Sequence, residues 1–147
     1  MSSVLADLLS HSNDRVLTSS SLINHTRDSD LLNTLAAALK EIRKATEHLS
    51  LGGMLFRNEE HVLQAIRVIE NHQAGRCFCQ VYPGYLFYDP AAEEKAGHVR
   101  VTRSATSGWS MTYECACTIC GHTYAVQEGE YHYTWWDWRG PKNAVSS

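Results

Sequence analysis

Residues 109–126, WSMTYECACTICGHTYAV, predict two β-strands joined by a tight turn. Cys117 and Cys120 stand on either side of a two-residue spacer in this turn, and Gly121 follows them. Two thiolates that share one tetrahedral zinc ion lie about 3.8 Å apart, because each Zn–S bond is about 2.3 Å long. The short spacer permits that approach, and the glycine lets backbone N–H groups face the sulfur atoms. The stretch therefore predicts half of a metal site.

A second cysteine pair, Cys77 and Cys79 in RCFCQVYPG, is the candidate for the other half. Alternate residues of an extended strand lie about 6.6 Å apart, which is too far for both thiolates to bind one ion comfortably. The pair can serve one metal only if the chain bends here, and the nearby Gly75 permits a bend. We therefore expect an irregular start to this segment.

The predicted ligands of one structural zinc ion are four thiolates: Cys77, Cys79, Cys117 and Cys120. Cys115 shares a strand face with Cys117 and is an alternate ligand, and so are His122 and His72, because imidazole often replaces a thiolate. Free cysteines are also commonly buried as small apolar residues. A redox pair at CxxC is a third interpretation, although such a motif typically precedes a helix. The grouping of all five cysteines in two short stretches favours the metal site.

The motif CTICGHTY, together with the upstream CFC, resembles a zinc ribbon over about residues 76–128. The CxC half departs from the CxxC of that class, and a long segment separates the two halves, so the resemblance implies an elaborated ribbon. Zinc ribbons occur in transcription and translation factors, in enzyme appendages and in protein adaptors. The resemblance therefore implies a fold element and not an activity.

The N-terminal half has the periodicity of helices. Residues 28–30 offer N-cap side chains, and the apolar residues that follow recur at helical spacing, so we predict a helix of about twenty residues that ends at Gly52. A second helix begins near residue 58 and ends near Gly75, so residues 28–75 are predicted to form a helical hairpin. Residues 1–27 contain the Ser- and Asn-rich run TSSSLINHT, which predicts a weakly structured arm or short helix.

The C-terminal half changes to short runs with a period of two residues, which is typical of strands. Strands are expected at residues 77–82, 85–88, 98–103, 109–117, 122–128 and 131–138, within a sheet that spans residues 76–140. Residues 141–147 are expected to fray. The predicted fold class is α+β: an N-terminal helical hairpin packed on a C-terminal antiparallel β-sheet that contains the zinc-ribbon-like site. Residues 28–140 are expected to form one folded domain.

Composition excludes some classes of function. The 147 residues carry 13 Lys and Arg against 16 Asp and Glu, a formal charge of −3, and neither half is basic. Binding to nucleic acid driven by charge needs clustered Lys and Arg, so it is disfavoured. The N-terminus does not resemble a signal peptide, and no apolar run approaches the length of a membrane span. We expect a cytoplasmic protein with reduced thiols and no membrane partner.

Catalytic motifs are missing from the sequence. It has no HExxH, no GxSxG, no P-loop and no GxGxxG, and a knuckle rich in thiolates predicts a closed structural zinc site. His122 and Glu128 share a strand face by alternation, with His132 nearby, so a small hydrolase centred on His122 and His132 is one alternative. Solvated polar side chains explain the same residues, and we expect that the protein is not an enzyme.

The last strand is aromatic on both faces. The candidate partner-binding residues are Tyr131, Tyr133, Trp135, Trp136 and Trp138. Such residues pack in cores and also dominate binding hot spots. The leading hypothesis is a small non-catalytic zinc-binding protein that contacts another protein as an adaptor or inhibitor, for example an immunity protein that neutralises a toxin. The alternative is a nucleic-acid-associated zinc-ribbon accessory factor with a basic strip of Arg76, Arg100, Arg103 and Arg139.

Overall fold

The computed structural model describes residues 3–52, 57–108, 110–130 and 133–140, and within them the protein is α+β. Helices come first and a four-stranded antiparallel sheet follows, which confirms the predicted fold class. The α-helices are α1 (Ser3–Leu8), α2 (Asn13–His25), α3 (Ser29–Ala37), α4 (Leu39–Thr46), α5 (Glu59–Gln73) and α6 (Pro90–Lys95), and a 3-10 helix spans Phe78–Val81. The strands are β1 (Val99–Ser107), β2 (Ser110–Cys117), β3 (Thr123–Glu130) and β4 (Thr134–Arg139).

The chain divides into two compact units, residues 1–78 and residues 79–147, called the helical unit and the sheet unit below. The prediction that residues 28–140 form one folded domain stays a prediction. The predicted frayed tail, residues 141–147, lies outside the described residues. In the part of the chain that is described, no helix is both long and apolar enough to span a bilayer.

Within the helical unit, α2, α3 and α4 all pack against α5. Among the described residues of this unit, the buried apolar side chains are aliphatic: Leu8, Val16, Ile23, Leu32, Leu35, Leu39, Ile42, Leu51, Val62, Ala65, Val68 and Ile69. They recur at the three- and four-residue spacing that places side chains on one face of a helix. Hydrophobic burial along α5 therefore organises this unit.

Residues 1–27, predicted as a weakly structured arm or short helix, contain α1 and the thirteen-residue helix α2. The buried face of α2 includes Ser19, whose hydroxyl donates hydrogen bonds to the carbonyls of Arg15 and Val16. On the same face, Asn24 donates from Nδ2 to the carbonyl of His61 in α5. Ser19 and Asn24, which favour loops in a sequence, here donate hydrogen bonds inside a packed helix.

The predicted twenty-residue helix is interrupted. Asp28 caps α3 by accepting hydrogen bonds from the backbone N–H groups of Asp30 and Leu31, as its sequence position indicates. Ala38 then leaves the helical conformation, with φ −108° and ψ 15°, and α4 begins after it. Neither glycine nor proline marks this break, and nothing in the sequence pattern explains it.

The sheet is a meander in the order β1-β2-β3-β4, with every neighbouring pair antiparallel. Its buried face carries the pairs Val99 opposite Cys117, Cys115 opposite Tyr124, and Val126 opposite Trp138. These six residues are at most 5% exposed. The strands expected at residues 98–103, 109–117, 122–128 and 131–138 correspond to β1–β4 with shifted ends.

The strands expected at residues 77–82 and 85–88 are wrong. The first of these segments forms the 3-10 helix, and the second has no regular structure. Tyr82, Tyr85 and Tyr88 are all buried, and they recur every three residues. A strand would send Tyr82 and Tyr85 to opposite faces, so it could not place all three rings on one face.

Trp138 joins these tyrosines in an aromatic cluster. Its indole stacks on Tyr82 with ring centroids 4.3 Å apart, and Nε1 donates a 2.7 Å hydrogen bond to the carbonyl of Tyr88. Tyr124 meets Tyr82 and Trp138 edge-on at 6.1 and 5.9 Å. Trp138 is 1% exposed, so its predicted place on a partner-binding surface is wrong: the side chain fills the core of the sheet unit.

Candidate metal centre

The turn between β2 and β3 has the geometry of a cysteine knuckle. Gly121, at φ +80°, donates its N–H to the carbonyl of Cys117, and Cys117 donates in turn to the carbonyl of His122. A positive φ is costly for residues with a side chain, which explains the glycine. Ile119 points its N–H at the sulfur of Cys117 over 3.4 Å, as the sequence predicts for this turn.

Thr118 attaches the knuckle to the start of β1. Its hydroxyl lies 2.8 Å from the carbonyl oxygen of Gly97 and 3.0 Å from that of His98, and its N–H donates to the same His98 carbonyl. The imidazole of His98 contacts Glu93, whose carboxylate also accepts a 2.5 Å hydrogen bond from Tyr82. The knuckle is therefore fixed on a hydrogen-bonded network.

The chain bends before Cys77, as expected. Gly75, at φ +73°, ends α5 in a Schellman motif, with its N–H bonded to the carbonyl of His72 and that of Arg76 bonded to Asn71. The side chain of Asn71 donates to the carbonyl of Cys77 over 3.0 Å. The 3-10 helix then carries Cys79, so the CxC pair is not extended and the strand-spacing objection does not apply.

The structure brings together Cys77, Cys79, Cys117 and Cys120, whose sulfur atoms all lie within 4.8 Å of one another. Cys79 and Cys120 approach to 3.4 Å. Cys79 and Cys117 are buried, Cys77 is partly buried and Cys120 is exposed. Separations of this size match thiolates arranged around one tetrahedral ion. The cluster therefore has the donor set and the spacing with which a metal ion could be held.

Tyr124 supports the cluster, and sequence reasoning missed it. Its hydroxyl donates a 3.1 Å hydrogen bond to the sulfur of Cys79. Burial, followed by this hydrogen bond, raises the pKa of Tyr124, so the hydroxyl stays protonated and remains a donor. A hydrogen bond to a ligand orients it and tunes its charge. The hairpin register that sets Tyr124 opposite Cys115 was the available signal.

The alternate ligands lie elsewhere in the described chain. Cys115 is fully buried outside the cluster, and burial, then the charge of Glu94, raises the pKa of its thiol to about 12. Only a thiolate binds metal well, so Cys115 is a small core residue. His122 is not part of the cluster. His72 pairs its Nε2 with the amide oxygen of Asn33 at 2.7 Å in the helical unit.

The predicted partner-binding aromatics occupy different environments. Trp135 is partly buried on the solvent-facing side of the sheet, and its indole covers Gly129 on the neighbouring strand. Trp136 is partly buried on the opposite side, and Tyr133 packs on Phe87 with centroids 5.5 Å apart. Tyr131 lies outside the described residues. Trp135 is thus the member of this set that the sheet presents outward.

Of the candidate acid–base residues, His122 and Glu128 lie within the described part of the chain, and they are far apart. Glu128 accepts hydrogen bonds from Tyr113 and from Trp136, each over 2.9 Å. His122 precedes Glu128 by six residues, which corresponds to about 20 Å along a strand. The two residues were predicted to share a strand face, but His122 precedes the first residue of β3 and Glu128 lies near the other end of that strand. His132 lies outside the described residues.

Three of the four arginines proposed as a basic strip share the solvent-facing side of the sheet. A cross-strand row runs from Arg103 through Glu114 and Ala125 to Arg139, and Arg100 lies on the same side. Arg103 pairs with Glu114 at 3.4 Å and Arg139 pairs with Asp137 at 3.1 Å. The carboxylates offset much of the positive charge on this face.

Comparison of the chain with protein-family models gives no match, and comparison with curated proteins and with solved structures gives no significant match. The chain is α+β, and four of its cysteines lie at metal-ligand distance from one another.

Proposed function

We propose that the cluster binds one zinc ion in a structural role. The observation that carries this proposal is the mutual approach of four sulfur atoms within 4.8 Å. Four thiolates are a typical donor set for structural zinc, and they leave no coordination position for a substrate or a water molecule. Donors aimed at the sulfurs of Cys79 and Cys117 suit ligands that carry negative charge.

We propose further that the protein acts without catalysis, by contacting another protein as an adaptor or inhibitor, with toxin neutralisation as one such role. The closed donor set and the engagement of Glu128 by Tyr113 and Trp136 support a role without catalysis. The outward position of Trp135 supports a protein partner, since Trp is enriched at the centres of interfaces. We also propose a cytoplasmic setting, because five cysteines that form no disulfide suit a reducing compartment.

A nucleic-acid-associated accessory factor is the second candidate, because Arg100, Arg103 and Arg139 share one face. That face also carries Glu114 and Asp137, which pair with two of these arginines. Phosphate binding would require those ion pairs to open. The protein-partner proposal is therefore preferred, and the two make opposite predictions about salt.

The experiment begins with metal analysis of protein purified without chelator, where about one zinc per chain is expected for a single closed site. Tagged protein is then recovered from its source cells with and without nuclease, at low and moderate salt. A stoichiometric protein partner that survives both treatments and is lost with Trp135→Ala supports the proposal. Lys40→Ala, at an exposed position of α4, is the matched control and should retain the partner.

Recovery that collapses with nuclease or salt supports the nucleic-acid candidate instead. In that case Arg103→Ala and Arg139→Ala should each weaken binding. Trp135→Ala should then weaken binding no more than the Lys40→Ala control does. Folded protein that contains no zinc contradicts the structural-zinc proposal whatever partner is found.

A further inference from the structure

The four sulfur ligands differ in their access to solvent. Cys120 is exposed at the knuckle, next to Ile119, whose side chain is 75% exposed. Cys79 is 0% exposed and Cys117 is 4% exposed. An oxidant that arrives from water therefore meets Cys120 first, since oxidation of cysteine follows thiolate character and exposure.

The second step of a reversible oxidation needs another thiolate within reach, and Cys79 supplies it. Its sulfur lies 3.4 Å from that of Cys120, whereas a disulfide bond is about 2.05 Å long. The two sulfur atoms would therefore need to approach by about 1.4 Å to be joined. Both residues belong to the sheet unit.

We propose that Cys120 and Cys79 form an oxidation site for hydroperoxides, at which a reversible disulfide releases the bound zinc. This inference rests on the proposed zinc site. It adds a regulatory chemistry to a cluster that otherwise only stabilises the fold. The exposed Cys120 is the attacking thiolate, and the buried Cys79 is the resolving thiolate.

The chemistry balances with hydrogen peroxide as the oxidant. The Cys120 thiolate attacks one peroxide oxygen, so that an S–O bond forms, the O–O bond breaks, and hydroxide leaves and is protonated to water. Cys120 is then a sulfenic acid. The Cys79 thiolate attacks the Cys120 sulfur, the S–S bond forms, the S–O bond breaks, and a second water leaves. Two thiols and one peroxide give one disulfide and two waters.

Loss of these two ligands leaves Cys77 and Cys117 to hold the ion. Two thiolates do not complete the tetrahedral set that structural zinc requires, so the ion dissociates. A dithiol reductant breaks the disulfide by thiol exchange and restores all four thiolates. Zinc then rebinds, and the cycle is complete.

The experiment treats the zinc-loaded full-length protein with hydrogen peroxide and follows zinc release with a chromogenic chelator. Disulfides are mapped by mass spectrometry after peptide digestion under conditions that block exchange. The expected result is loss of the zinc in parallel with a Cys79–Cys120 disulfide. A dithiol and added zinc should then restore metal content. Release without any disulfide, or a dominant Cys117–Cys120 disulfide, overturns the proposal.

Two variants sharpen the test. Cys120→His keeps a zinc ligand but removes the attacking thiolate, so it should hold zinc and resist peroxide several-fold longer than the wild type. Cys115→Ala removes the buried thiol outside the cluster and should release zinc at the wild-type rate. Equal sensitivity of Cys120→His and wild type overturns the proposal. If Cys120→His does not fold, the disulfide map of the wild type still decides it.

The outcomes also separate this proposal from the zinc proposal. Protein that contains no zinc before peroxide is added contradicts the structural-zinc site alone. The Cys79–Cys120 disulfide can still be mapped in that protein, and its absence overturns the oxidation site. Zinc that is present and stays bound through peroxide treatment supports the metal site and overturns the oxidation site.

Discussion

The cores of the helical unit and the sheet unit differ in the types of residue that they contain. The buried apolar side chains of the helical unit are aliphatic and come from successive turns of packed helices. The corresponding residues of the sheet unit are mostly aromatic or cysteine: Cys79, Val81, Tyr82, Tyr85, Tyr88, Val99, Cys115, Cys117, Tyr124, Val126 and Trp138. The core of the first unit consists of repeated aliphatic contacts, and that of the second consists of a few large rings and the buried Cys79, Cys115 and Cys117.

Because their cores differ, we expect the two units to be stabilised by different interactions. Aliphatic burial distributes the hydrophobic free energy over many side chains, so single changes remove a modest part of it. A sheet unit of this size has a small core, and small cores usually need a metal or disulfides. The five cysteines form no disulfide in the described structure, so the proposed metal ion would supply this support. The comparison predicts that the two units respond differently to the same treatments.

Removal of the metal should have the largest effect. Cys117→Ser, or a strong chelator, should abolish cooperative unfolding of the sheet unit, because zinc binding contributes on the order of 10 kcal/mol in zinc-finger peptides. Far-ultraviolet circular dichroism should keep the helical signal of residues 1–78. Hydrogen exchange read by mass spectrometry should show protection lost in β1–β4 and retained in α2 and α5.

Cys115→Ala is the matched control, because it removes a buried thiol of the same strand that lies outside the cluster. It should keep its zinc and lose only about 1 kcal/mol of stability, as expected for a small core truncation. Equal loss of protection in both units after Cys117→Ser would show that the units do not differ in this way.

Large-to-small substitutions in the two cores should come next. Trp138→Ala should lower the free energy of unfolding by about 3–5 kcal/mol, because it opens a cavity beside Tyr82 and leaves the carbonyl of Tyr88 without its donor. Leu35→Ala, at a fully buried position of α3, should cost about 2–5 kcal/mol. Denaturation followed by indole fluorescence and by circular dichroism measures both.

The comparison requires that the two variants affect different regions. Trp138→Ala should increase hydrogen exchange in the sheet unit, and Leu35→Ala should increase it in the helical unit. If each variant destabilises both units equally, the chain unfolds as one cooperative structure. The different core compositions of the two units then do not give them separate stabilities.

Local chemistry determined which parts of this architecture could be predicted from sequence. The knuckle was predictable because Cys117, Cys120 and Gly121 satisfy a geometric requirement within five residues. The cap of α3 was predictable because Asp28 acts on its nearest backbone neighbours. The α+β order followed from the change in periodicity near Gly75. In each case the sequence neighbours themselves make the interaction.

The wrong predictions concern residues whose structure is determined by contacts with residues distant in sequence. The segment with Tyr82, Tyr85 and Tyr88 resembles a strand in composition, but its rings pack on one another and, through Tyr82, on Trp138, which is far away in sequence. The buried serine and asparagine face of α2 resembles a loop, yet Asn24 finds its partner at His61. Trp135 and Trp138 are three residues apart on one strand, so their side chains lie on opposite faces of the sheet. They differ in burial because only one of these faces is covered. Sequence alone does not specify which side is covered.

Gly129→Ala should have a moderate effect confined to the sheet unit. A methyl group at this position would occupy the space of the Trp135 indole, which lies across the glycine on the neighbouring strand. Displacement of the ring should cost about 1–3 kcal/mol, the usual range for overpacking. Thermal unfolding of the zinc-loaded protein measures the loss.

A double-mutant cycle tests the cause. Trp135→Ala removes the ring, so Gly129→Ala made in that background should be nearly neutral. If the glycine substitution costs as much without the ring as with it, the glycine is required by the backbone and not by the indole.

The smallest effect should appear at alkaline pH. Burial, together with the hydrogen bond to Glu128, raises the pKa of Tyr113 to about 12, from an ordinary value of 10.0. The unfolded state therefore loses this proton at lower pH than the folded state. The stability contributed by Tyr113 is fully present below about pH 10 and is lost as the pH rises towards about 12.

Tyr113→Phe cannot ionise, so the difference in unfolding free energy between wild type and variant should narrow across this window. Urea denaturation at a series of pH values, with phenolate absorbance as a parallel readout, measures the difference. A difference that stays constant across the window would mean that the Tyr113 hydroxyl ionises equally in both states, and that the buried side of the sheet does not shield it.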